Sequence, residues 1–512
     1  MKQQKSQLKI GVILNYVNMI LGNLIPIFYT PIMLALLGQE EYGLYKLSSS
    51  VTSYLSLISF GIGSAVTRYL IKAEQEEGRK AEERTLGLFM VIFRAIAILS
   101  LIVGTILTLN LDLFYGHSLS AGELGRMKLL VFLMVCNMAL SFSQSPYNSV
   151  VTAHERFVFL QSINIVTTCG GPLLNLLMLL LGFASVGMAA STLVITLFCR
   201  VAYTLYVRRT LELKPRYRNM PTNALKEILI FSFWIFVSNV VSQLYNATDT
   251  VMIGAIPELA TTGVAVYSVG NTFNTIVFSM TVGLSSLLTP KANKMVFSGA
   301  SNEELTSLAI RVGRLQAYIF ALVVTGFIAF GRPFIHFYAG EGYEDAYWVA
   351  ILMMIPNMIP LVQGVCLSII IAQNKHKFRS LVYLGIAIVN VIGTWLLMQV
   401  MGIIGAALMT GIALVIGQGF VMNWYYHKRT GLDMLRFWKE VGCVYLLPAG
   451  LCVCTLLLGR MVDLYQLWAL LAGIMVYTVV YCVLCWIFSM NDYERGMIAG
   501  PLSLIKRKLL HK

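Results

Sequence analysis

The sequence predicts an all-α membrane protein with about fourteen transmembrane helices. Hydrophobic residues make up 57% of the 512 residues and charged residues only 12%, whereas soluble domains carry about 25% charged residues. Apolar stretches recur along the chain that are long enough to cross a hydrocarbon core of about 30 Å, which takes about 20 helical residues. These stretches are continuous rather than alternating, so they predict helices and not the strands of a membrane β-barrel.

Short polar or basic segments separate the predicted spans. Spans one to seven cover 10–37, 44–71, 85–108, 126–150, 158–181, 184–207 and 228–256. Spans eight to fourteen cover 263–290, 308–330, 346–372, 379–400, 403–426, 438–459 and 465–489. Several of them are longer than one bilayer thickness, which indicates tilted helices.

The Lys and Arg residues are distributed asymmetrically around these spans. With the N-terminus in the cytoplasm, most of the 38 Lys and Arg residues fall on the cytoplasmic side. The exceptions are the outer residues Lys46, Arg126, Lys128, Arg332 and Arg460, and the intrahelical Arg94. This asymmetry follows the positive-inside rule and predicts a multi-pass protein with both termini cytoplasmic. The net charge of +14 is therefore explained by topology, and no nucleic-acid partner is expected.

The chain contains an internal repeat. Tyr45, Gly61, Ser64, Thr67 and Lys72 match Tyr267, Gly283, Ser286, Thr289 and Lys294 at one constant offset. Because each repeat holds an even number of spans, the two copies enter the membrane in the same orientation, as parallel repeats do. The predicted domains are a six-helix lobe 1–210, a cytoplasmic linker 211–227, a second six-helix lobe 228–427, and 428–512 with two additional helices and a basic cytoplasmic tail.

Polar side chains form stripes along the first two spans of each repeat. Asn15 and Asn18 share one face of span one, and Asn239, Gln243 and Asn246 share one face of span seven. Span two carries a serine stripe, and span eight carries Asn271, Thr275, Ser285, Ser286 and Thr289. Small polar residues can simply join neighbouring helices. Because polar groups are costly in hydrocarbon, the repeated pattern favours a water-lined central cavity between the two lobes.

Few charged residues lie within the spans. Arg94 lies near the middle of span three, where insertion scales give an Arg a cost of about 2.5–3.5 kcal/mol. Arg68, Arg311 and Arg314 lie at cytoplasmic span ends, where snorkelling to the interface is the alternative to lining a cavity. Asp249 is the only acid well inside a span. It is a candidate for ion coupling, for an ion pair with an Arg, or for a structural hydrogen bond.

Four segments carry a family pattern. They are Asn18-x7-Pro26, Leu37-Gly38-x3-Tyr42-Gly43-Leu44-Tyr45, Phe60-Gly61-Ile62-Gly63-Ser64-Ala65-x2-Arg68-Tyr69, and Tyr245-Asn246-x2-Asp249-x3-Ile253-Gly254 followed by Gly263-x3-Tyr267-Ser268. In these segments the chain resembles the oligosaccharide flippase family (Wzx-type polysaccharide transporters). The resemblance extends over nearly the whole chain, and the glycine-rich segment that ends in Arg68 is its most specific part.

The resemblance implies a flippase rather than an enzyme. The expected activity is translocation of a polyprenyl-diphosphate-linked oligosaccharide repeat unit from the cytoplasmic to the outer leaflet of the bacterial plasma membrane. It would proceed by alternating access and serve the synthesis of O-antigen, capsule or exopolysaccharide. The expected partners are this substrate, membrane lipids, and assembly proteins such as a polysaccharide polymerase. No cofactor is expected.

The resemblance also implies a cationic cavity, since Arg pairs well with phosphate. Arg68 matches the family motif, and Arg94 is added because of its depth. The full candidate set is Arg68, Arg94, Arg311, Arg314, Asn15, Asn18, Asn239, Gln243 and Asn246, with Asp249 for coupling or an ion pair. The nine cysteines fall within predicted spans and no His lies near their close pairs, so no metal site is predicted.

Three other functions remain as alternatives. A multidrug or cation antiporter of the same fold would need only twelve spans and acidic cavity residues, and span one contains no acid. A lipid II flippase would share the fourteen spans, but its Arg- and Asp-rich signature near the first two helices is not found. A membrane glycosyltransferase or ligase would need a larger polar loop than those around Asp112–Glu123 and Arg332–Asp345.

Overall fold

The chain is helical in a computed structural model that describes residues 2–373, 375, 377–459 and 462–496. Within these ranges, the structure does not describe the side chains of residues 2–6, 8, 9, 222, 234, 280–288 and 377. The stripe residues Ser285 and Ser286 and the basic tail Lys506–Lys512 thus lie outside the described residues. The described ranges hold α-helices with short 3-10 and π segments and no strand, which confirms the all-α prediction.

Two compact units make up the chain, and the first is Met1–Ser268. Its helices are α1 (Lys2–Leu37), α2 (Gln39–Ser53), α3 (Gly63–Glu77), α4 (Arg79–Leu109), α5 (Leu111–Tyr115), α6 (Ala121–Ala153), α7 (Phe157–Leu180), α8 (Ala184–Arg209), α9 (Leu225–Asn246) and α10 (Thr248–Gly254). A 3-10 segment, Tyr54–Ser59, joins α2 to α3. Within this unit α1 packs along α7, and α6 packs between α4 and α8.

The second unit is Val269–Lys512, and α11 (Ala260–Phe297) crosses the boundary. The further helices are α12 (Asn302–Ala339), α13 (Ala346–Val362), α14 (Gly364–Ala372), α15 (Lys377–Leu414), α16 (Asn423–Thr430), α17 (Met434–Leu458) and α18 (Leu467–Leu484). π segments follow α15 and α18. Here α12 packs against α13, α17 and α18.

The boundary between the compact units lies beyond the predicted linker 211–227. The first unit therefore includes α9 and α10, which the sequence analysis places in the second lobe. The physical reason is that α10 packs against α2, while α9 packs against α3 and the 3-10 segment between α2 and α3. The lobes 1–210 and 228–427 stay a prediction from the repeat.

Within the described residues, eleven helices are long and apolar enough to cross a membrane, or twelve if the bent pair Ala346–Val362 and Gly364–Ala372 is one span. The protein is thus a multi-pass membrane protein, as predicted. The eleven include Phe378–Thr430, whose 53 residues would measure about 80 Å as one straight helix. The total of fourteen spans stays a prediction.

The segment Phe378–Thr430 folds back on itself at Gly402. The backbone there has φ 57° and ψ −139°, which glycine adopts without a steric penalty. Thr410 Oγ1 donates to Asn390 Oδ1 at 3.1 Å across the bend. In a straight helix, twenty residues would separate two such positions by about 30 Å. The contact therefore supports two spans in this segment.

The predicted linker packs against the start of α4. The Arg216 backbone N–H donates to the Glu83 carbonyl at 2.9 Å, and Arg216 Nε lies 2.7 Å from Glu83 Oε2. Gly87 permits this approach, because a Cβ atom there would lie 2.0 Å from the Arg216 carbonyl oxygen. Arg79 also donates to the Leu211 carbonyl at 2.8 Å. The linker is thus held in a defined position relative to α4.

If 377–401 and 403–414 belong to two spans, the bend at Gly402 lies at the outer surface. A cysteine in place of Val400, which is 83% exposed, is then expected to react with a membrane-impermeant maleimide added to intact cells. The measurement uses a variant without the native cysteines. Lys428→Cys, on the predicted cytoplasmic side, is the control and should react only after permeabilisation. Protection of both cysteines in intact cells would contradict the two-span assignment.

Candidate functional site

A break between α2 and α3 positions the first part of the candidate site. Phe60 and Gly61 have left-handed backbone conformations, with φ of 51° and 69°. The Phe60 ring stacks on Phe236 of α9, with ring centroids 4.4 Å apart. A Cβ atom on Gly61 would come within 2.9 Å of Ile235. The family-like glycine at position 61 therefore allows α9 to pack directly against the break.

Gln243 joins α9 to the same stretch by hydrogen bonds. Its Nε2 donates to the Ser53 carbonyl at 3.1 Å and to Ser56 Oγ at 3.0 Å. Ser53 Oγ donates in return to Gln243 Oε1 at 3.3 Å. Hydrogen bonds of this kind stabilise the association of helices in the membrane. The structure thus places Gln243, predicted to line a cavity, in a helix–helix contact.

Asp249 lies in α10 and is only 2% exposed. The Tyr267 hydroxyl donates to its Oδ2 at 2.5 Å. One residue earlier, Thr248 Oγ1 and the Tyr54 hydroxyl are 2.6 Å apart. These contacts favour the structural hydrogen bond among the three roles considered for Asp249.

The four asparagines of the predicted stripes have different environments. Asn18 is partly buried and accepts a hydrogen bond from Thr168 Oγ1 of α7 at 2.8 Å. Asn15 and Asn239 are exposed. Asn246 is also exposed, and its Nδ2 donates to the Ser242 carbonyl of its own helix at 2.8 Å. Asn15, Asn239 and Asn246 are thus accessible, while Asn18 joins α1 to α7.

Arg68 is exposed on α3. Its guanidinium lies over the Phe231 ring of α9, 5.0 Å from the centroid. Ser64, one turn earlier, is exposed on the same helix face. Within the described residues no protein atom accepts a hydrogen bond from the Arg68 guanidinium, so its donors are available to an anionic ligand. The ring would orient the guanidinium by a cation–π contact.

Arg94 borders a groove between α4, α6 and α8. The groove has a volume of about 500 Å³ and an almost wholly apolar lining. The other lining residues are Ala97, Ile98, Leu101, Cys136, Ala139, Leu140, Ser143 and Leu193. Arg94 is therefore the single charged group on a surface that suits a hydrocarbon chain.

The Arg94 guanidinium lies over the ring of Tyr217 in the linker, 5.5 Å from the centroid. Side chains on a helix lean toward its N-terminus, so Arg94 extends toward the end of α4 where the linker packs. Arg94 and Asp249 have different partners, so the structure does not pair them. Within the described residues no protein acceptor binds the Arg94 guanidinium.

The two arginines of α12 differ from each other. Arg311 is exposed and lies over the Tyr493 ring at 5.1 Å. Arg314 is bound in a network, with Nε 2.6 Å from Glu494 Oε1. Its other nitrogens donate to the Glu440 and Ser489 carbonyls at 3.0 and 2.9 Å. These contacts occupy the guanidinium and favour a structural role for Arg314, while its assignment to substrate binding stays a prediction.

The sequence analysis missed several of these partners. Tyr217, the aromatic ring beneath Arg94, lies on the linker, and Phe231, the ring beneath Arg68, lies on α9. Glu494, the partner of Arg314, follows α18 and is 1% exposed. Helical periodicity identifies the faces of one helix but not its neighbours. An aromatic residue in a basic linker was the only available signal, and it is weak.

Three side chains at the predicted cytoplasmic end of the first unit could hold a metal ion. The ligand atoms of Glu74, Glu82 and His154 lie within 4.8 Å of one another. His154 Nε2 is 2.8 Å from Glu82 Oε1, and Glu82 is almost fully buried. This hydrogen bond to Glu82 raises the pKa of His154. An ion pair between the two groups accounts for their closeness without a metal.

The sequence of the chain matches a protein-family model. The model, described as polysaccharide biosynthesis protein, matches residues 8–290. A search of curated protein sequences found no match.

Several solved structures have the same fold. The lipid II flippase MurJ, in an inward closed conformation, matches with a TM-score of 0.74 and 14% identity over 93% of this chain and 98% of its own. An inward-facing multidrug resistance MATE family transporter of the MOP superfamily matches with a TM-score of 0.63 and 13% identity, over 82% and 99%. The Vibrio cholerae MATE transporter VcmN in its bent form matches with a TM-score of 0.54 and 17% identity, over 84% and 98%. The fold is thus that of transporters and flippases rather than of enzymes.

Replacement of Arg314 by Ala is expected to destabilise the protein strongly. It would leave the Glu494 carboxylate buried without its partner, and breaking a buried ion pair in this way costs about 3–5 kcal/mol. Arg311→Ala is the matched control, because it removes an exposed cation from the same helix and should change stability by less than about 1 kcal/mol. Thermal unfolding of the purified variants in detergent measures both effects. Equal melting temperatures for the two variants would contradict the structural role of Arg314.

Proposed function

Because the chain belongs to the polysaccharide biosynthesis protein family, we propose that it is a flippase for a polyprenyl-diphosphate-linked oligosaccharide repeat unit. It moves this substrate from the cytoplasmic to the outer leaflet of the bacterial plasma membrane by alternating access. The product serves the synthesis of a surface polysaccharide such as O-antigen, capsule or exopolysaccharide. Both termini lie in the cytoplasm, and a polysaccharide polymerase is a proposed partner.

The observation that carries this proposal is the groove that Arg94 borders. A substrate of this kind joins a long apolar chain to a diphosphate, so its site must combine a hydrocarbon surface with a cation. The groove offers an apolar lining, one Arg and a volume of about 500 Å³. This volume falls in the range of about 300–1,000 Å³ that is usual for ligand sites, enough for part of a polyprenyl chain.

Arg94 is suited to the diphosphate by its geometry. Its guanidinium can donate two parallel hydrogen bonds to phosphate oxygens, which a Lys ammonium cannot do. The Tyr217 ring covers one face of the Arg94 guanidinium. The N–H donors, which lie in the plane of the guanidinium, stay available. Arg68 over Phe231 repeats this arrangement. In our proposal both arginines lower the cost of bringing an anionic head group into the membrane.

A deletion experiment distinguishes the proposed function from two other functions of the same fold. The similarity to a lipid II flippase and to MATE multidrug transporters concerns the fold alone. Deletion of a repeat-unit flippase should leave cells without the surface polysaccharide. Lipid-linked repeat units should accumulate in the inner leaflet of the membrane. Loss of an antiporter should change only drug sensitivity. Loss of a lipid II flippase should stop cell-wall synthesis and growth.

Arg94→Ala is expected to reduce polysaccharide display about 10–100-fold at normal membrane abundance. The expected loss corresponds to one hydrogen bond to a charged group, about 1.5–3 kcal/mol. Arg94→Lys should retain part of the activity, because it keeps the charge and loses the paired geometry. Polysaccharide display is measured beside membrane abundance for each variant.

Arg84→Ala is the control for these variants. It removes a cation from the same helix, where Arg84 forms an ion pair with Glu77 at 3.4 Å near the linker and away from the groove. Its display should equal that of the wild type. Normal display in Arg94→Ala would refute the charge-binding role, and a matching fall in abundance would indicate a structural role instead.

A further inference from the structure

The second unit contains a recessed cavity that the proposed transport site does not use. Its volume is about 350 Å³. The cavity lies where α12 ends, α13 begins and the chain enters α18, so it joins two loops that are distant in sequence. Positive φ angles at Gly340 (87°) and Gly342 (83°) turn the chain between α12 and α13. Both loops fall on the predicted outer side of the membrane.

Two exposed aromatic residues line this cavity. Trp348 is 43% exposed and Tyr465 is 57% exposed. Tyr465 meets the ring of His336 edge-on, with centroids 5.5 Å apart. Buried Tyr347 supports Trp348, with the two rings 5.2 Å apart. The rings are thus held by neighbours and present apolar area next to polar groups.

The polar groups of the cavity include both donors and acceptors. Arg332 and His336 can donate, while Glu344 and Asp345 accept. Arg332 lies over the Tyr347 and Trp348 rings at 5.2 and 5.5 Å. In the part of the chain that the structure describes, neither the Arg332 guanidinium nor the Asp345 carboxylate is bonded to a protein partner. Glu344 is held by the Gly342 N–H at 3.2 Å.

This combination selects among ligand classes. A phosphate group would be attracted by Arg332 but repelled by both Glu344 and Asp345. A metal ion would be attracted by the two carboxylates but repelled by Arg332, and it has no acceptor for the Arg332 N–H donors. A sugar has hydroxyl groups that both donate and accept, and its C–H faces pack on aromatic rings. Mixed polar groups beside exposed aromatic rings therefore fit a saccharide best.

We propose that this cavity is a saccharide-binding site on the outer face of the second unit. Trp348 and Tyr465 contact the apolar face of a sugar ring, while Arg332, His336, Glu344 and Asp345 bind its hydroxyl groups. The ligand class follows from the cavity itself, and the location on the outer face rests on the proposed topology. At this location the site would hold a glycan after its release to the outer leaflet.

A bacterial glycan array probes this site directly. Purified full-length protein in lipid nanodiscs is applied to the array, and affinity is measured for the fragments that bind. Trp348→Ala should weaken binding about tenfold, since loss of an aromatic contact of about 1.5 kcal/mol gives that factor. Glu344→Gln should weaken it as well without removing side-chain volume. All variants are first compared for monodispersity by size-exclusion chromatography.

Trp468→Ala is the matched control. Trp468 is 71% exposed and lies three residues beyond Tyr465, but it does not line the cavity. Exposed Trp and Tyr residues also anchor proteins at the membrane surface, and such a role would make Trp348→Ala and Trp468→Ala behave alike. Equal effects of these two variants, or no saccharide bound by the wild type, would overturn the proposal. The glycan array measures binding and requires no transport. The absence of flippase activity and the absence of saccharide binding would therefore be distinguished.

Discussion

A polar group within the hydrocarbon is costly unless it finds a partner inside the protein, and this constraint governs much of the structure. Backbone groups meet it by forming helices. Small hydroxyl side chains meet it within their own helix, as Ser48 Oγ does by donating to the Leu44 carbonyl at 2.8 Å. Larger polar groups join two helices, as Gln243 and Asn18 do. Buried charges require networks, and Arg314 with Glu494 is the clearest example.

Against this background, Arg68, Arg94 and Arg311 differ from Arg314. Each of the three lies over an aromatic ring, and within the described residues none is bonded to a protein acceptor. A cation in this setting retains its capacity to bind an anion. Arg94 also borders an apolar groove, so the cost of placing it there is offset if its ligand carries both a diphosphate and a hydrocarbon chain. The combination of a cation and an apolar surface thus supports the proposed substrate.

Much of the fold could be predicted from the sequence because hydropathy reports directly on the membrane. The runs of apolar residues predicted the helices, and the bend at Gly402 falls between predicted spans eleven and twelve. The family resemblance was confirmed by the match over 8–290. The grouping of α9 and α10 with the first unit was not predicted, since it depends on side-chain contacts such as those of Gln243 with Ser53 and Ser56.

The candidate site was harder to predict, because it also depends on side-chain contacts between elements that are distant in sequence. The sequence identified Arg94 as an unusual charge with a cavity or ion-pair role, but periodicity does not show that α6 and α8 form an apolar groove beside it. It grouped Arg311 with Arg314 by their spacing, yet only Arg314 is enclosed by a network. The outer cavity around Trp348 was missed altogether. Its residues come from two loops that only the tertiary structure brings together.

Transport in a purified system tests the central claim most directly. The protein is reconstituted into liposomes that contain a radiolabelled polyprenyl-diphosphate-linked oligosaccharide, and inner-leaflet substrate is followed as it becomes accessible to an external, membrane-impermeant sugar oxidant. Wild-type protein should expose this pool faster than protein-free liposomes do, and Arg94→Ala should expose it about 10–100-fold more slowly than the wild type. Equal rates for wild-type and protein-free liposomes would contradict the flippase function. An Arg94→Ala rate equal to that of the wild type would contradict the role of the groove.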